Sequence, residues 1–259
     1  MSLPGAVRSA LLFSDVHLGW ALCARHHERW LERLPEAAGD AELVVLNGDI
    51  VDGHRRVQRA SERELVQRLA ELVLGWRREG RRVVCVEGNH DARSQAPEAL
   101  AADRWSFDFE TQDGRQVRVL HGHRFSPSAI VWETYERVGR SVLAVENFLY
   151  GRIAALRPLY RFGPGWLVSS IGATECRLAR RGLPARVAPL LEGVDALLHG
   201  HIHYGPGSGR IGKVATWRTG SWVSPGHLGS ADRMLRYRAG RFERIGWSGG
   251  RWLACDDGR

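Results

Sequence analysis

Leu43-Val44-Val45-Leu46-Asn47-Gly48-Asp49-Ile50-Val51-Asp52 is a β-branched apolar run that breaks at a glycine into a turn carrying two carboxylates. Short runs of this kind, bounded by Gly and polar residues, predict strands. Four more stretches repeat the pattern. Leu11-Leu12-Phe13 leads into Ser14-Asp15-Val16-His17, and Val83-Val84-Cys85-Val86 leads into Glu87-Gly88-Asn89-His90-Asp91. Val117 to Leu120 leads into His121-Gly122-His123, and Ala196-Leu197-Leu198 leads into His199-Gly200-His201-Ile202-His203. Open α/β sheets bind ligands just beyond the carboxyl ends of their strands, so the sheet is expected to bring all five turns to one rim.

The residue types in these turns have a common chemistry. Carboxylate, imidazole and amide oxygen suit Mn, Fe, Zn or Mg, whereas a closed structural zinc site would use thiolates. Cys23, Cys85, Cys176 and Cys255 have no such pairing. In a two-metal site the ions lie about 3.5 to 4 Å apart, so a ligand must bridge them, and a carboxylate has two oxygens to do so. Asp49 is the bridging candidate. One ion is expected on Asp15, His17 and His203, and the other on Asn89, His121 and His201. Divalent metal lowers the pKa of bound water from about 15.7 toward 7, which supplies a nucleophile at neutral pH. His90 is left over from ligand duty and is expected to act on the leaving oxygen as general acid or electrostatic stabiliser. Asp52 and Asp91 are read as groups that orient histidine ligands through their ring nitrogens. His123 is read as a contact to substrate phosphate, while His26, His27, His54 and His227 are read as surface residues or as support behind the ligands.

Each motif alone is weak; their order and their place after apolar runs carry the reading. In that order the chain resembles the calcineurin-like metallophosphoesterases over roughly Leu11 to Val223, and all seven proposed ligand positions match. The resemblance implies a four-layer α/β/β/α sandwich with two central mixed sheets, a dinuclear centre, and hydrolysis of phosphomonoester, phosphodiester or pyrophosphate bonds. Leu18 stands where serine/threonine phosphatases have Gly after the His, and Gly53 where they have Arg, which disfavours that branch. Phe13 to Gly19, Gly48 to Gly53, Gly88 to Asp91, His199 to His203 and Thr219 to Val223 are most similar to the UDP-2,3-diacylglucosamine pyrophosphatase group of lipid A synthesis. That group usually has His-Gly-Asp where this chain has His121-Gly122-His123. The implied reaction is release of UMP and lipid X.

Composition agrees with an enzyme. At 259 residues and 44% hydrophobic the chain can bury a sizeable core as one domain spanning 1–259, and no apolar stretch is long enough to span a bilayer. The first strand follows the N-terminus so closely that a cleaved secretory signal would remove ligand residues, so cytoplasmic residence is expected, with the inner membrane face as a place of peripheral contact. The net charge is +8, and Lys213 is the only lysine. Such an excess attracts nucleic acid, anionic lipid headgroups or a nucleotide substrate without separating them. Arg77-Arg78 and Arg81-Arg82 read first as solvated helix faces and ends.

Ala60 to Arg78 has the spacing of an amphipathic helix, with Leu65, Leu69, Leu72, Val73 and Trp76 on one face and Gly80 as its stop. It is expected as a crossover between parallel strands. Asp113-Gly114 predicts a hairpin between Phe107 to Thr111 and Gln116 to Leu120, and further strands follow from Ile211 onward. Residues 125–181 form an insertion, expected as a helical lid with helices from about Ser128 to Tyr150 and around Ser170 to Arg181. Its mixture of aromatic residues and arginine suits an amphipathic substrate or a membrane surface, and equally a packed lid or a dimer interface. Two other functions stay open. One is a metal-dependent nuclease or cyclic-nucleotide phosphodiesterase, which would use the positive charge. The other is a catalytically silent binding or scaffold protein of the same fold, against which the retention of every ligand position argues.

Overall fold

All five apolar runs are strands, but they divide between two sheets. The chain runs through β1 (Ser9–Phe13), α1 (Ala24–Ala38), β2 (Leu43–Asn47), α2 (Ala60–Arg78), β3 (Arg82–Val86), β4 (Ser106–Glu110), β5 (Gln116–Leu120) and β6 (Ala196–His199). It continues through β7 (Ser208–Ile211), β8 (Val214–Arg218), β9 (Gly220–Ser221), β10 (Arg233–Arg238), β11 (Arg241–Ser248) and β12 (Arg251–Ala254). The computed structural model describes residues 5–20, 24–53, 60–91, 96–102, 104–125, 149, 185–203, 207–222 and 233–255. Apart from Leu149, the two helices expected within 125–181 lie outside the described residues.

The first sheet has the order β12-β11-β10-β1-β2-β3, with β9 paired to β10, and the second has the order β4-β5-β6-β8-β7. Both are mixed. β1, β2 and β3 are parallel and β10 runs antiparallel to β1. β5, β6 and β8 are parallel, flanked by antiparallel β4 and β7. A single sheet therefore does not carry the five turns. Three follow strands of the first sheet and two follow strands of the second, and the sheets pack so that both parallel sets deliver their turns to one place.

Packing follows from the near-continuous apolar character of β1, β2 and β3, which are buried on both faces. Leu11, Phe13, Val44, Leu46 and Cys85 face α1 and α2, where they meet Trp30, Leu31, Leu34, Leu65, Leu69, Val73 and Trp76. Their alternates Ala10, Leu12, Leu43, Val45, Val84 and Val86 meet Phe107, Phe109, Val117, Val119, Ala196 and Leu198 of the second sheet. The outer face of that sheet, through Leu120, Leu197 and Val214, packs under Val187 and Leu191. The architecture is an α/β sandwich with two mixed sheets at its centre.

α2 occupies Ala60–Arg78 with the expected apolar face buried. It stops at Gly80, whose φ of +83° is a conformation that residues with a Cβ adopt rarely. α1 was not legible, because Pro35 lies inside it and the His26-His27 pair interrupts its start. Its apolar residues Trp30, Leu31, Leu34, Ala37 and Ala38 nonetheless fall on one helical face. No described helix is long and apolar enough to cross a membrane.

Trp30 joins α1 to the first sheet, with ring centres 5.4 Å from Phe13 and 5.6 Å from Trp222. Trp30→Ala should lower unfolding free energy by about 3 to 5 kcal/mol, read from denaturant unfolding. A loss under about 1 kcal/mol would mean that α1 does not anchor this layer.

Candidate metal centre

The turns after β1 and β2 are zipped together by main-chain bonds. Asp15 N–H donates to the Gly48 carbonyl at 3.0 Å, His17 N–H to Asp49 at 2.9 Å, Leu18 N–H to Ile50 at 2.9 Å and Asp52 N–H to Leu18 at 2.8 Å. Asp15, His17, Asp49 and His201 all have positive φ, at 55°, 52°, 53° and 62°. Non-glycine residues hold this conformation at a cost and cluster at functional sites. Close approach also explains two glycines. A Cβ on Gly48 would sit 2.4 Å from the His121 ring, and one on Gly88 would sit 2.2 Å from Asp49 Oδ1.

This backbone gathers the seven proposed ligands and His90 around Asp49. Ligand atoms of Asp15, His17 and His203 lie within 4.8 Å of one another, as do those of Asp49, His121 and His201. A third group, His17, Asp49 and His90, meets the same criterion and joins the other two. His203 Nε2 is 2.9 Å from Asp15 Oδ1, His121 Nε2 is 3.2 Å from Asp49 Oδ2, and His17 Nε2 is 3.8 Å from the same oxygen. Asn89 adjoins His90, whose N–H donates to Asp49 Oδ1 at 2.8 Å. The His123 ring stands at the edge, 5.5 Å from His121 and 6.4 Å from His201.

Two observations fit this donor set to divalent cations. His121 Nδ1 is bonded to the Asn47 carbonyl at 2.8 Å, which fixes the ring and aims the buried Nε2 at the Asp49 carboxylate 3.2 Å away. Neither ring nitrogen of buried His17 makes a close hydrogen bond, the nearest carboxylate oxygens, of Asp52 and Asp49, standing at 3.5 and 3.8 Å. Buried polar atoms left this way are costly unless a ligand takes them up.

Electrostatics point the same way. Burial works to raise Asp15, but the imidazoles of His203 and His121 outweigh it and hold the carboxyl at about 2. Burial likewise opposes the ionisation of Asp49, and His121 and His90 hold it well below the usual carboxylate range. Burial and the neighbouring His90 push His17 down to about 4. Burial also disfavours a charged His121, but Asp49 and Asp15 raise it to about 10. Without metal the carboxylates thus keep a proton on His121, in the position where a cation would serve instead.

Asp52 and Asp91 have different jobs. Asp52 Oδ1 is 3.1 Å from His90 Nδ1 and its Oδ2 is 3.5 Å from His17 Nδ1, so its carboxylate faces both rings. Asp91 orients no histidine, contrary to expectation. Its carboxylate accepts N–H bonds from Asp49 at 2.6 Å, Ile50 at 2.9 Å, Val51 at 3.1 Å and Gly88 at 3.0 Å, and so clamps the turn that presents Asp49. Burial and the Asp49 charge push Asp91 up to about 6, which leaves it ionised at neutral pH. His27 is buried rather than on the surface, at 1% exposure. Burial and the neighbouring His26 and His17 lower it to about 3.

The motifs did not identify Ser14, Asn47, Thr219 or Arg218. Asn47 Nδ2 donates to the Leu120 carbonyl and to Thr219 Oγ1, both at 3.2 Å. Thr219 donates to Ser14 Oγ at 2.8 Å, and Ser14 donates to Asp15 Oδ2. Arg218 donates to the Ile202 carbonyl at 3.0 Å, under the turn that carries His201 and His203. The available signal was a polar residue at the end of each apolar run.

Comparisons with known proteins follow this geometry. The family model described as calcineurin-like phosphoesterase matches residues 9–205. Among solved structures, a predicted phosphoesterase from Streptococcus pneumoniae TIGR4 is 16% identical, with 97% of this chain and 99% of that one covered and a TM-score of 0.37. A dimetal phosphatase from Danio rerio is 15% identical, with 98% and 100% covered and a TM-score of 0.42. A mutant cold-active protein tyrosine phosphatase is 14% identical, with 98% and 81% covered and a TM-score of 0.47. No curated protein matches the chain.

Two measurements test the site. Asp91→Ala strands four backbone donors and should cost about 3 kcal/mol of stability together with metal occupancy. Full stability with full metal content would remove the clamp. Calorimetric titration of metal-free protein with Mn²⁺ near pH 7.5 should release a proton from His121, giving a binding enthalpy that depends on the buffer and an affinity that rises with pH. An enthalpy independent of buffer would contradict a protonated His121.

Proposed function

Since the chain belongs to the calcineurin-like phosphoesterase family, we propose that it is a dinuclear metal-dependent hydrolase of phosphodiester or pyrophosphate bonds. The observation that carries this is the pair of ligand triads Asp15-His17-His203 and Asp49-His121-His201, joined by a third group that contains His17 and Asp49. Asp15, His17 and His203 would hold one divalent ion, Asn89, His121 and His201 the other, and Asp49 both. Mn is the ion to try first, with Fe, Zn and Mg compatible with the same donors. When bound, such ions neutralise phosphoryl charge and lower the pKa of water.

The protein's own part is positioning and proton transfer. Asp52 at 3.1 Å fixes the His90 ring through Nδ1, so that Nε2 is the atom that would act on the leaving oxygen. The N–H bond from His90 to Asp49 ties that acid to the bridging carboxylate, so both move as one unit. Asp91 and the zipped turns hold Asp49 in its left-handed conformation before substrate arrives. His123, kept neutral by burial and by the neighbouring His121, which hold it down at about 3, is proposed to meet substrate phosphate as a hydrogen-bonding group.

For the substrate, the five segments similar to the UDP-2,3-diacylglucosamine pyrophosphatase group support a nucleotide-linked lipid pyrophosphate, cleaved to UMP and lipid X. Its two ends would account for a basic chain that meets anionic lipid and nucleotide alike.

Mn-supplemented turnover on UDP-2,3-diacylglucosamine beside a generic aryl phosphodiester tests both levels. UMP release is expected, and activity on the aryl diester alone would keep the chemistry and remove the lipid substrate. Asp49→Ala should abolish turnover. His90→Ala should keep its metal and lose about 10²- to 10⁴-fold in kcat, as removal of a general acid does. An unchanged rate would end the acid assignment.

A further inference from the structure

Among the described residues, Leu74, Trp105 and Leu253 are the large apolar side chains that stay exposed, at 42%, 38% and 37%. Leu74 belongs to α2 and Leu253 to the edge strand β12. Trp105 borders the metal centre. Ser106 pairs with Leu120, so Trp105, one residue before β4, falls across the end of that ladder from His121. The main chain beside it is fastened to the rim, because Glu87 N–H donates to the Arg104 carbonyl at 2.8 Å and Glu87 lies two residues before Asn89.

From the other side comes the tight turn His123–Phe125. It carries the His123 ring at the metal end, and at the other end the Phe125 ring 6.5 Å from Trp105 and the Arg124 guanidinium 5.6 Å from the indole. Glu87 holds Arg124 at 2.9 Å while half of the Arg124 side chain stays open to solvent. An indole left partly open beside this cluster, with a guanidinium fixed over its ring as backing, is a prepared surface for a flat ring.

We propose that Trp105, backed by Arg124 and Phe125, is a stacking subsite for a nucleobase carried by the phosphoester substrate. This rests on the phosphohydrolase reading of the adjoining centre. An acyl chain needs an enclosed apolar channel, whereas this surface offers a partly exposed indole with a guanidinium over its ring and the Glu87 carboxylate behind that, which complements a flat ring with a polar edge. Arg124 also places positive charge where a nucleotide's anionic backbone leaves the metals. Base stacking on an aromatic side chain tolerates any base, so the subsite selects nucleotides as a class.

The test compares thymidine 5′-(p-nitrophenyl phosphate) with methyl p-nitrophenyl phosphate on the Mn-loaded full chain, two diesters with one leaving group. In Trp105→Ala the ratio of their kcat/KM values should fall about tenfold, the size of one lost base stack, mainly through KM of the thymidine ester. Trp105→Phe should restore most of the ratio, since it keeps a ring. An unchanged ratio in Trp105→Ala would overturn the proposal, whatever the absolute rates. If unaltered protein cleaved neither diester, the phosphodiester branch of the proposed reaction would fail separately. Calorimetric binding of thymidine monophosphate would then still decide the subsite, weaker binding in Trp105→Ala supporting it and equal binding refuting it.

Discussion

The carboxylate of Asp91 accepts backbone N–H groups from Asp49, Ile50, Val51 and Gly88, and the remaining geometry of the centre leans on that clamp. Asp49 sits at φ 53°, a conformation that a carboxylate-bearing residue does not hold unaided. Charge-assisted bonds contribute about 1.5 to 3 kcal/mol each, enough together to offset the strain of that turn and the burial of a second acid beside it. The lack of a side chain at Gly88 lets the clamp close, since a Cβ there would collide with Asp49 and Asp91 at once.

From Asp49 the constraint spreads to both sheets. The turn after β2 fixes the turn after β1 through four main-chain bonds and receives the His90 N–H from the turn after β3. The second sheet is tied in by His121 on the Asn47 carbonyl, Asn47 on the Leu120 carbonyl, and the hydroxyl relay from Thr219 through Ser14 to Asp15. His201 N–H closes the circle on the Asp15 carboxylate at 3.1 Å. Buried polar groups are worth their desolvation only when satisfied, so the network and the centre specify one another.

Asp15 and Asp49 are held in their charged forms in a space from which water is largely excluded, by neighbouring imidazoles of which His121 is raised to about 10 and would give up a proton to a cation. Such a cluster is poorly matched to a purely structural role, because an apolar core of the same volume would be at least as stable. Rigid turns and a carboxylate set between the Asp15-His17-His203 and His121-His201 groups make a cluster suited to hold metal in a phosphoesterase fold.

The sequence determined the strands, α2 and the Asp113-Gly114 hairpin, because apolar period and turn residues are local properties. It also determined which residue types gather, since each ligand directly follows a strand. It did not reveal α1, whose period is interrupted by Pro35 and the His26-His27 pair, and it misread Asp91, whose partners are main-chain groups that carry no side-chain signal. The division of the five runs between two sheets and the gathering of the two triads through His17 and Asp49 were decided by tertiary structure alone. Strand partners as distant as Ser9 and Arg238 are chosen by complementary buried faces and shared hydrogen bonds, and no local window of the chain contains both sides of that choice.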